Sequence, residues 1–576
     1  MAQYIFVKIR KKSQSQETIS NLEEICNILT PEKITGISKN YIAKWGSYSD
    51  TFYAIQNSEG VKTIENDTLL IGWVDQYDNI DSTINGSYAV IKNNNIKISF
   101  FCDQFGSRTL WYYVDEEKII ISTSQRAIVA LKGSFNLNHE AISWYLSSGC
   151  QGPFISWDTN INQVLPNLDY IFDIKEWKLS KSKKYDFNKI KIKKVDEKNF
   201  INQYDEKIKK NIGSIINKGE KFLLPISGGL DSRLLLSLYN KTDTDKSISL
   251  INWGVKNNFF DDKKAANSIA KYYKYDFFNV FLPDEMSSFN YVLDNFIQNS
   301  EGRIDHFNAF SDGFELWNNV CKEKFSFILR GDLPYPTGLH LNNMQARQKI
   351  GLERLSDYDI FSHPDLNYLK YLQSDCSLTK YSDETLIEWR DRLYVTWRIP
   401  LVLSAFTQLI SAYCENRTPM MDWELFKNYM SLPDCSKGNK MHIYKLWHKY
   451  DKTDVSSNCQ SSLKNMDAYF NNYDGILFLI KELKTLSNIN FLNVDFIEKI
   501  ISNLDGIKNK DIQKKIFLKK IKNILSTYMP QYIKFYLKSK RKMHISSITV
   551  AYRLILIDKI IKLYISDSES LQKVKD

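Results

Sequence analysis

The sequence predicts an α/β protein with a β-rich N-terminal part, a second part built on a parallel sheet, and a helical, basic C-terminal stretch. Three observations predict it. Short runs rich in β-branched and aromatic residues, divided by Asn, Asp and Gly, fill roughly residues 1–135. From about 200 to 450, strand-like runs alternate with helical patterns, which implies a parallel sheet with its ligand at the strand carboxyl ends. Beyond 450 the patterning is helical.

The first part carries strand patterns at Tyr4 to Ile9, Leu69 to Val74, Tyr88 to Ile91, Ile96 to Phe101, Trp111 to Val114 and Lys118 to Ser122. Ser20 to Leu29 has apolar residues at helical spacing and stops before Pro31. His139 to Ser147 reads as a helix, and lysine-rich Lys178 to Lys198 as a surface loop. A domain boundary falls near 195, giving domains 1–195, 196–475 and 476–576.

The centre of the second part is Phe222 to Leu236. An apolar strand ends at Ser227, Gly228 and Gly229 turn the chain, and a helical run follows Ser232. Glycines let backbone N–H groups approach a phosphate, and a helix start adds orphan donors and a positive dipole end. Ser227 and Ser232 add hydroxyls, and Leu230 fills the turn. Asp231 would repel a bare phosphate, so its expected job is to hold a cation that bridges phosphates. The turn lacks a Gly-Lys-Ser/Thr ending, so it should hold pyrophosphate rather than present a γ-phosphate. Further strands are expected at Ser247 to Trp253, Phe277 to Phe281 and Phe325 to Leu329, with a helix over Phe200 to Lys218. This puts Ser227 to Ser232 and Asn252, Trp253 and Gly254 on one rim. Arg330-Gly331-Asp332 follows the last of these strands, and pairing Asp231 with Asp332 supplies the two carboxylates that Mg²⁺ on ATP would need.

These motifs carry a resemblance. Ser227 to Ser232 resembles the pyrophosphate loop of the ATP pyrophosphatases, and its context resembles the asparagine synthetase family. Phe101 to Tyr113 resembles the Arg-Asp-x-x-Gly-x-Arg-Pro-Leu-Tyr-Tyr segment of that family's glutaminase domain. Ala412 to Asp422 resembles its Glu-x-Arg-x-Pro-Phe-Leu-Asp, with capping and ion-pairing roles expected. Arg330 to His340 resembles the second signature, closest to β-lactam synthetases, although Leu329 stands where the family has a Glu or Tyr. Gly438-Asn439-Lys440 resembles the turn whose lysine stabilises charge near the α-phosphate; Lys440, or Lys445 after it, could instead be a solvated helix residue. The resemblance implies an Ntn-hydrolase-like, glutaminase-like domain, then a doubly wound PP-loop domain, then the basic helical extension. It implies Asp231, Asp332 and Lys440 as catalytic residues. It implies Ser227, Gly228, Gly229, Leu230, Asp231, Ser232 and Gly331 as phosphate contacts, Asn252, Trp253 and Gly254 facing the adenine, and ATP and Mg²⁺ as cofactors. Asp103 aligns with a family residue that helps hold glutamine, but without an N-terminal cysteine here it reads as structural.

Residue 2 is Ala where the family's glutaminase has a cysteine, so glutamine hydrolysis is not expected. That pattern resembles β-lactam synthetases and lasso peptide cyclases, in which an amine of the substrate attacks. The expected function is therefore an ATP-dependent, AMP-forming carbon–nitrogen ligase, possible substrates including a precursor peptide to be cyclised. Amidation of a sugar or small acid, a tRNA-modifying PP-loop enzyme and a non-catalytic scaffold are the alternatives.

Composition sets bounds. At 576 residues two or three domains are the prior. No 18-residue uncharged apolar segment occurs, so no membrane span is expected. The N-terminus shows no secretory pattern, and eight scattered cysteines without a CxxC pair suit reduced thiols, so the expected location is cytoplasmic. The net charge of +10 resides between Lys508 and Lys542, where twelve Lys or Arg face one acid, Asp511. That stretch could contact an acidic partner or a membrane surface, or form a solvated helix face; nucleic acid is the less favoured partner.

Overall fold

The computed structural model describes the chain outside residues 1–2, 11–14, 32–43, 49–50, 57–60, 65–67, 78–79, 82, 188–189, 191–195, 217–218, 243–247, 257–261, 287, 337–341, 374–377, 438–439, 452, 454, 456–462, 490–491, 509–542 and 572–576. The basic stretch therefore lies, but for Lys508, outside the described residues, as do Gly438, Asn439 and His340.

The N-terminal part is two stacked antiparallel sheets. Its elements are β1 (Gln3–Ile9), α1 (Ser15–Leu29), β2 (Lys44–Tyr48), β3 (Thr51–Gln56), β4 (Val61–Ile64), β5 (Thr68–Val74), β6 (Gly86–Asn93), β7 (Lys97–Cys102), β8 (Trp111–Val114) and β9 (Lys118–Ser122). They continue with α2 (Gln125–Lys132), α3 (His139–Ser148), β10 (Asn162–Gln163), β11 (Leu168–Asp173) and β12 (Lys178–Lys183). Strand order is β10-β8-β9-β1-β3-β2 in one sheet and β12-β11-β7-β6-β5-β4 in the other. Period-two alternation explains why β1 is apolar on both faces from Tyr4 to Val7: Tyr4 and Phe6 face the second sheet, while Ile5, Val7 and Ile9 pack under α1 and α2. The lysine-rich segment expected as a loop begins with β12, an exposed edge strand paired to β11; its exposed lysines suit an edge.

The second part begins with α4 (Glu197–Ile215) and continues through β13 (Phe222–Pro225), α5 (Leu230–Tyr239), β14 (Ile248–Gly254), α6 (Asp262–Tyr273) and β15 (Asp276–Phe281). Next come α7 (Phe289–Ser300), α8 (Glu315–Lys322), β16 (Phe327–Leu329), α9 (Asn343–Ile350), α10 (Asn367–Leu372), α11 (Leu386–Leu393), α12 (Ser404–Ser411) and β17 (Glu415–Arg417). The five strands form a parallel sheet in the order β15-β14-β13-β16-β17. One face of it, with Phe222, Leu224, Leu250 and Phe327, packs on α4 and α5. The other, with Leu223, Ile251 and Ile328, packs on α7, α8 and α12. Burial on both faces is why these strands read as continuous apolar runs.

Between α11 and α12 the helix runs through a π-helical segment, Tyr394–Leu403, containing Pro400. Pro400 has no N–H to close the ladder, and its carbonyl accepts from Arg303 at 3.1 Å. Residues 386–411 are long and apolar enough to cross a membrane by length and composition, but they lie in the core.

The remaining helices are α13 (Trp423–Met430), α14 (Asp434–Lys437), α15 (Met441–Tyr450), α16 (Met466–Phe470), α17 (Tyr473–Leu483), α18 (Val494–Lys508) and α19 (Ser547–Ser570). The sequence boundary at 475/476 falls inside α17, and α19 is no appendage. Apolar nearly all round, it is buried against α2, α3, α7 and α17. Arg126 of α2 bonds Asp567 of α19 at 2.7 Å. The two large parts are also joined by buried polar bonds: Arg108 to Glu415 and to the Asn416 carbonyl, and Asn85 to Asp422 at 2.7 Å. Asp422 also caps α13, so the Ala412 to Asp422 motif does structural work.

On α11, Arg390 and Asp391 are fully buried and bonded at 2.6 Å. Burial pushes the Asp391 carboxyl up to about 6 against the pull of Arg390, with Lys437, Asp434 and Tyr429 also facing it. The folded state thus keeps a proton that the unfolded chain releases near pH ~4, so this group's contribution to stability falls as pH rises from ~4 to ~6 and is level above. Asp391→Asn is expected to remove that slope. Denaturant midpoints of wild type and variant at about pH 4 and about pH 7 check it.

Candidate functional site

At the carboxyl rim of the parallel sheet lies a cavity of about 530 Å³. Its walls come from the ends of β13, β14 and β16, where an open α/β sheet places its ligands. Ser227, Gly229, Asp231, Ser232, Asn252, Trp253, Gly331 and Asp332 line it. Gly228, Leu230 and Gly254 do not; the Gly254 carbonyl instead accepts from Lys263 at 2.6 Å.

The turn after β13 is held by its own side chains. Ser232 Oγ accepts from the Ser227 N–H and lies 3.3 Å from Ser227 Oγ, which accepts from the Gly229 N–H at 3.1 Å. Gly229 caps α5 without any side-chain cap bond, so the first-turn N–H groups of α5 remain donors toward an anion. Asn252 Nδ2 donates to the Ile226 carbonyl at 2.6 Å, tying β14 to this turn, and its Oδ1 has no partner among the described residues.

The two acidic loops touch. A Cβ at Gly331 would sit 3.3 Å from the backbone carbon and oxygen of Asp231, so glycine sets how closely the loops approach. Asp231 Oδ2 accepts from Lys440 Nζ, while its Oδ1 is buried with no hydrogen-bond partner among the described residues. Asp332 Oδ1 accepts from Arg330 at 3.0 Å. Lys440, which does not line the cavity, meets Asp231 from the start of α15, with a left-handed φ of 53°. Lys445, the other lysine considered, bonds Glu197 at 2.7 Å on the surface.

Oxygen-only ligands and one orphaned carboxylate oxygen fit a hard divalent cation such as Mg²⁺. No cluster of three or more His, Cys, Asp or Glu suited to a metal occurs among the described residues, so phosphate oxygens and water would complete such a site.

The inner wall is apolar and aromatic, with Phe310, Trp317, Leu403, Phe406 and Ile410. Trp253 meets Trp317 edge-on at 5.5 Å. Sequence reasoning missed this wall and missed His306, which also lines the cavity, because they come from segments without a motif.

No protein-family model matches the chain, and no curated protein matches it. Among solved structures it is similar to the U34-tRNA thiolase NcsA from Methanococcus maripaludis with its [4Fe-4S] cluster, at a TM-score of 0.23 and 11% identity, over 55% of this chain and 81% of that one. It is also similar to the glutamine phosphoribosylpyrophosphate amidotransferase from B. subtilis complexed with ADP and GMP, at 0.20 and 8%, over 48% of this chain and 90% of that one. Likeness this loose assigns no function.

Proposed function

We propose that the cavity takes ATP and that the chain is an ATP-dependent, amide-forming ligase that activates a carboxylate as an acyl-adenylate. The observation that carries this is the meeting of two acidic loops: Asp231 and Asp332 line one cavity, and Gly331 brings their backbones together.

In this reading the phosphates lie against Ser227 to Ser232, held by the first-turn N–H groups of α5 and the two serine hydroxyls. Asp231 and Asp332 would hold Mg²⁺, which when bound neutralises charge on the leaving pyrophosphate. Lys440 Nζ, already on Asp231, adds positive charge at the same place. Asn252 Oδ1 offers an acceptor suited to the amino group of adenine. The substrate carboxylate attacks the α-phosphorus, pyrophosphate leaves, and an amine then displaces AMP. The aromatic wall limits water at the activated acyl group, which would otherwise be hydrolysed.

Full-length protein incubated with α-labelled ATP, Mg²⁺ and a panel of carboxylic acids and amines should release AMP and pyrophosphate. ADP as the sole product, or no nucleotide binding by calorimetry, would reject the reading.

A further inference from the structure

His306 is a titratable side chain of the cavity that the scheme above leaves idle. Its Nδ1 stands 3.1 Å from Oδ1 of the fully buried Asp305, an ion-pair contact, and neither atom has a hydrogen bond to any described residue. Asp305 is fixed from behind. Its other oxygen accepts from Arg553 Nε at 2.8 Å, and its N–H donates to the Gly149 carbonyl at 2.8 Å. Gly149 allows that approach, since a Cβ there would lie 2.2 Å from Asp305 Oδ2. The Phe406 ring meets the imidazole edge-on at 5.5 Å. With Nδ1 turned to Asp305, Nε2 is the ring nitrogen left for the cavity.

An imidazole held against a buried carboxylate is an arrangement for taking a proton. We propose that His306 is a catalytic residue of the amide-forming half-reaction, accepting at Nε2 the proton that the attacking amine must lose, with Asp305 as its positioning residue. The inference rests on the adenylation reading. Two of the cavity's acids are already in ion pairs, Asp231 with Lys440 and Asp332 with Arg330. Leu329 is buried and has no proton to move. In the step, the amine nitrogen bonds the acyl carbon, the bond from that carbon to the phosphate oxygen breaks, AMP leaves with the electron pair, and the amine proton passes to His306. Phe406 meets the imidazole, and Phe310 and Trp317 line the same cavity, so an aromatic or aliphatic group beside the carboxylate is the fitting substrate class.

The test uses full-length protein, ATP, Mg²⁺, either N-acetyl-L-phenylalanine or N-acetyl-L-aspartate, and glycinamide as the amine. ATP–pyrophosphate exchange reads adenylation, and amide product read by mass spectrometry reports transfer. The phenylalanine derivative should support the faster exchange. His306→Gln should keep exchange but form amide about 100-fold more slowly, with added imidazole restoring part of the rate. Equal amide formation by wild type and His306→Gln would overturn the proposal and leave adenylation standing, as would parallel loss of both readouts in a folded variant. No exchange by wild type with either acid would overturn this proposal, while AMP release from the wider acid panel would keep the adenylation reading itself.

Discussion

Asp231→Asn is expected to abolish AMP-forming turnover while leaving the protein folded. The carboxylate is one of three lining the cavity, its Oδ1 lacks a partner among the described residues, and its Oδ2 holds Lys440. The amide keeps the shape but removes the charge that a phosphate-bound cation needs, and its NH₂ has nothing to offer an ammonium group. Losing one such contact in a water-poor site costs about 3 kcal/mol of transition-state stabilisation, roughly 100-fold or more in rate. Asp231 is only half-buried, so the cost to folding should stay within about 0.5 kcal/mol. Pyrophosphate exchange measured beside a denaturation midpoint separates the two effects. Exchange retained at the wild-type rate would remove Asp231 from the chemistry, and a collapsed midpoint would make its role structural.

The turn around Asp231 was legible because all of its physics is local. A strand, two glycines and a helix start follow one another between Phe222 and Leu236, and the parallel strands announced themselves as short apolar runs. Asp332 was reachable as a loop acid after such a strand. What the sequence hid is built from distant segments. β2, β3 and β4 are short, and much of the sequence between them lies outside the described residues. His306 follows Asp305 in a segment with no periodic pattern, and only the fold sets it against Phe406 in the cavity that Phe310 and Trp317 also line. α19 was read with the lysine-rich stretch before it, although its own sequence, Ile548 to Ile561, is largely apolar, with Arg553, Asp558 and Lys559 the charged exceptions. Such a helix has to be enclosed, by its composition alone.

Arg553→Met should be among the most destabilising single changes in the chain. Arg553 leaves α19 to meet three things: Asp305 Oδ2 at 2.8 Å, and the Leu146 and Ser147 carbonyls at 3.0 and 2.8 Å where α3 ends. It thereby neutralises a buried carboxylate and satisfies the last turn of a helix with one planar group. Burial pushes the Asp305 carboxyl up, but the Arg553 guanidinium, and then the His306 ring, outweigh it and hold the carboxyl below its ordinary value. A depressed folded pKa means that this pairing stabilises the fold above the unfolded value of ~3.9 and is lost as pH falls through the lower folded value. Methionine keeps most of the volume and leaves a fully buried charge unpaired, which costs about 3–5 kcal/mol. Adding Asp305→Asn should recover part of that loss, since the charge then goes with its partner, and the double-mutant cycle isolates the pair. If Arg553→Met alone left the denaturation midpoint near wild type at neutral pH, α19 would not be anchored through Asp305. The carboxylate argued to position His306 would then lose its fixed end.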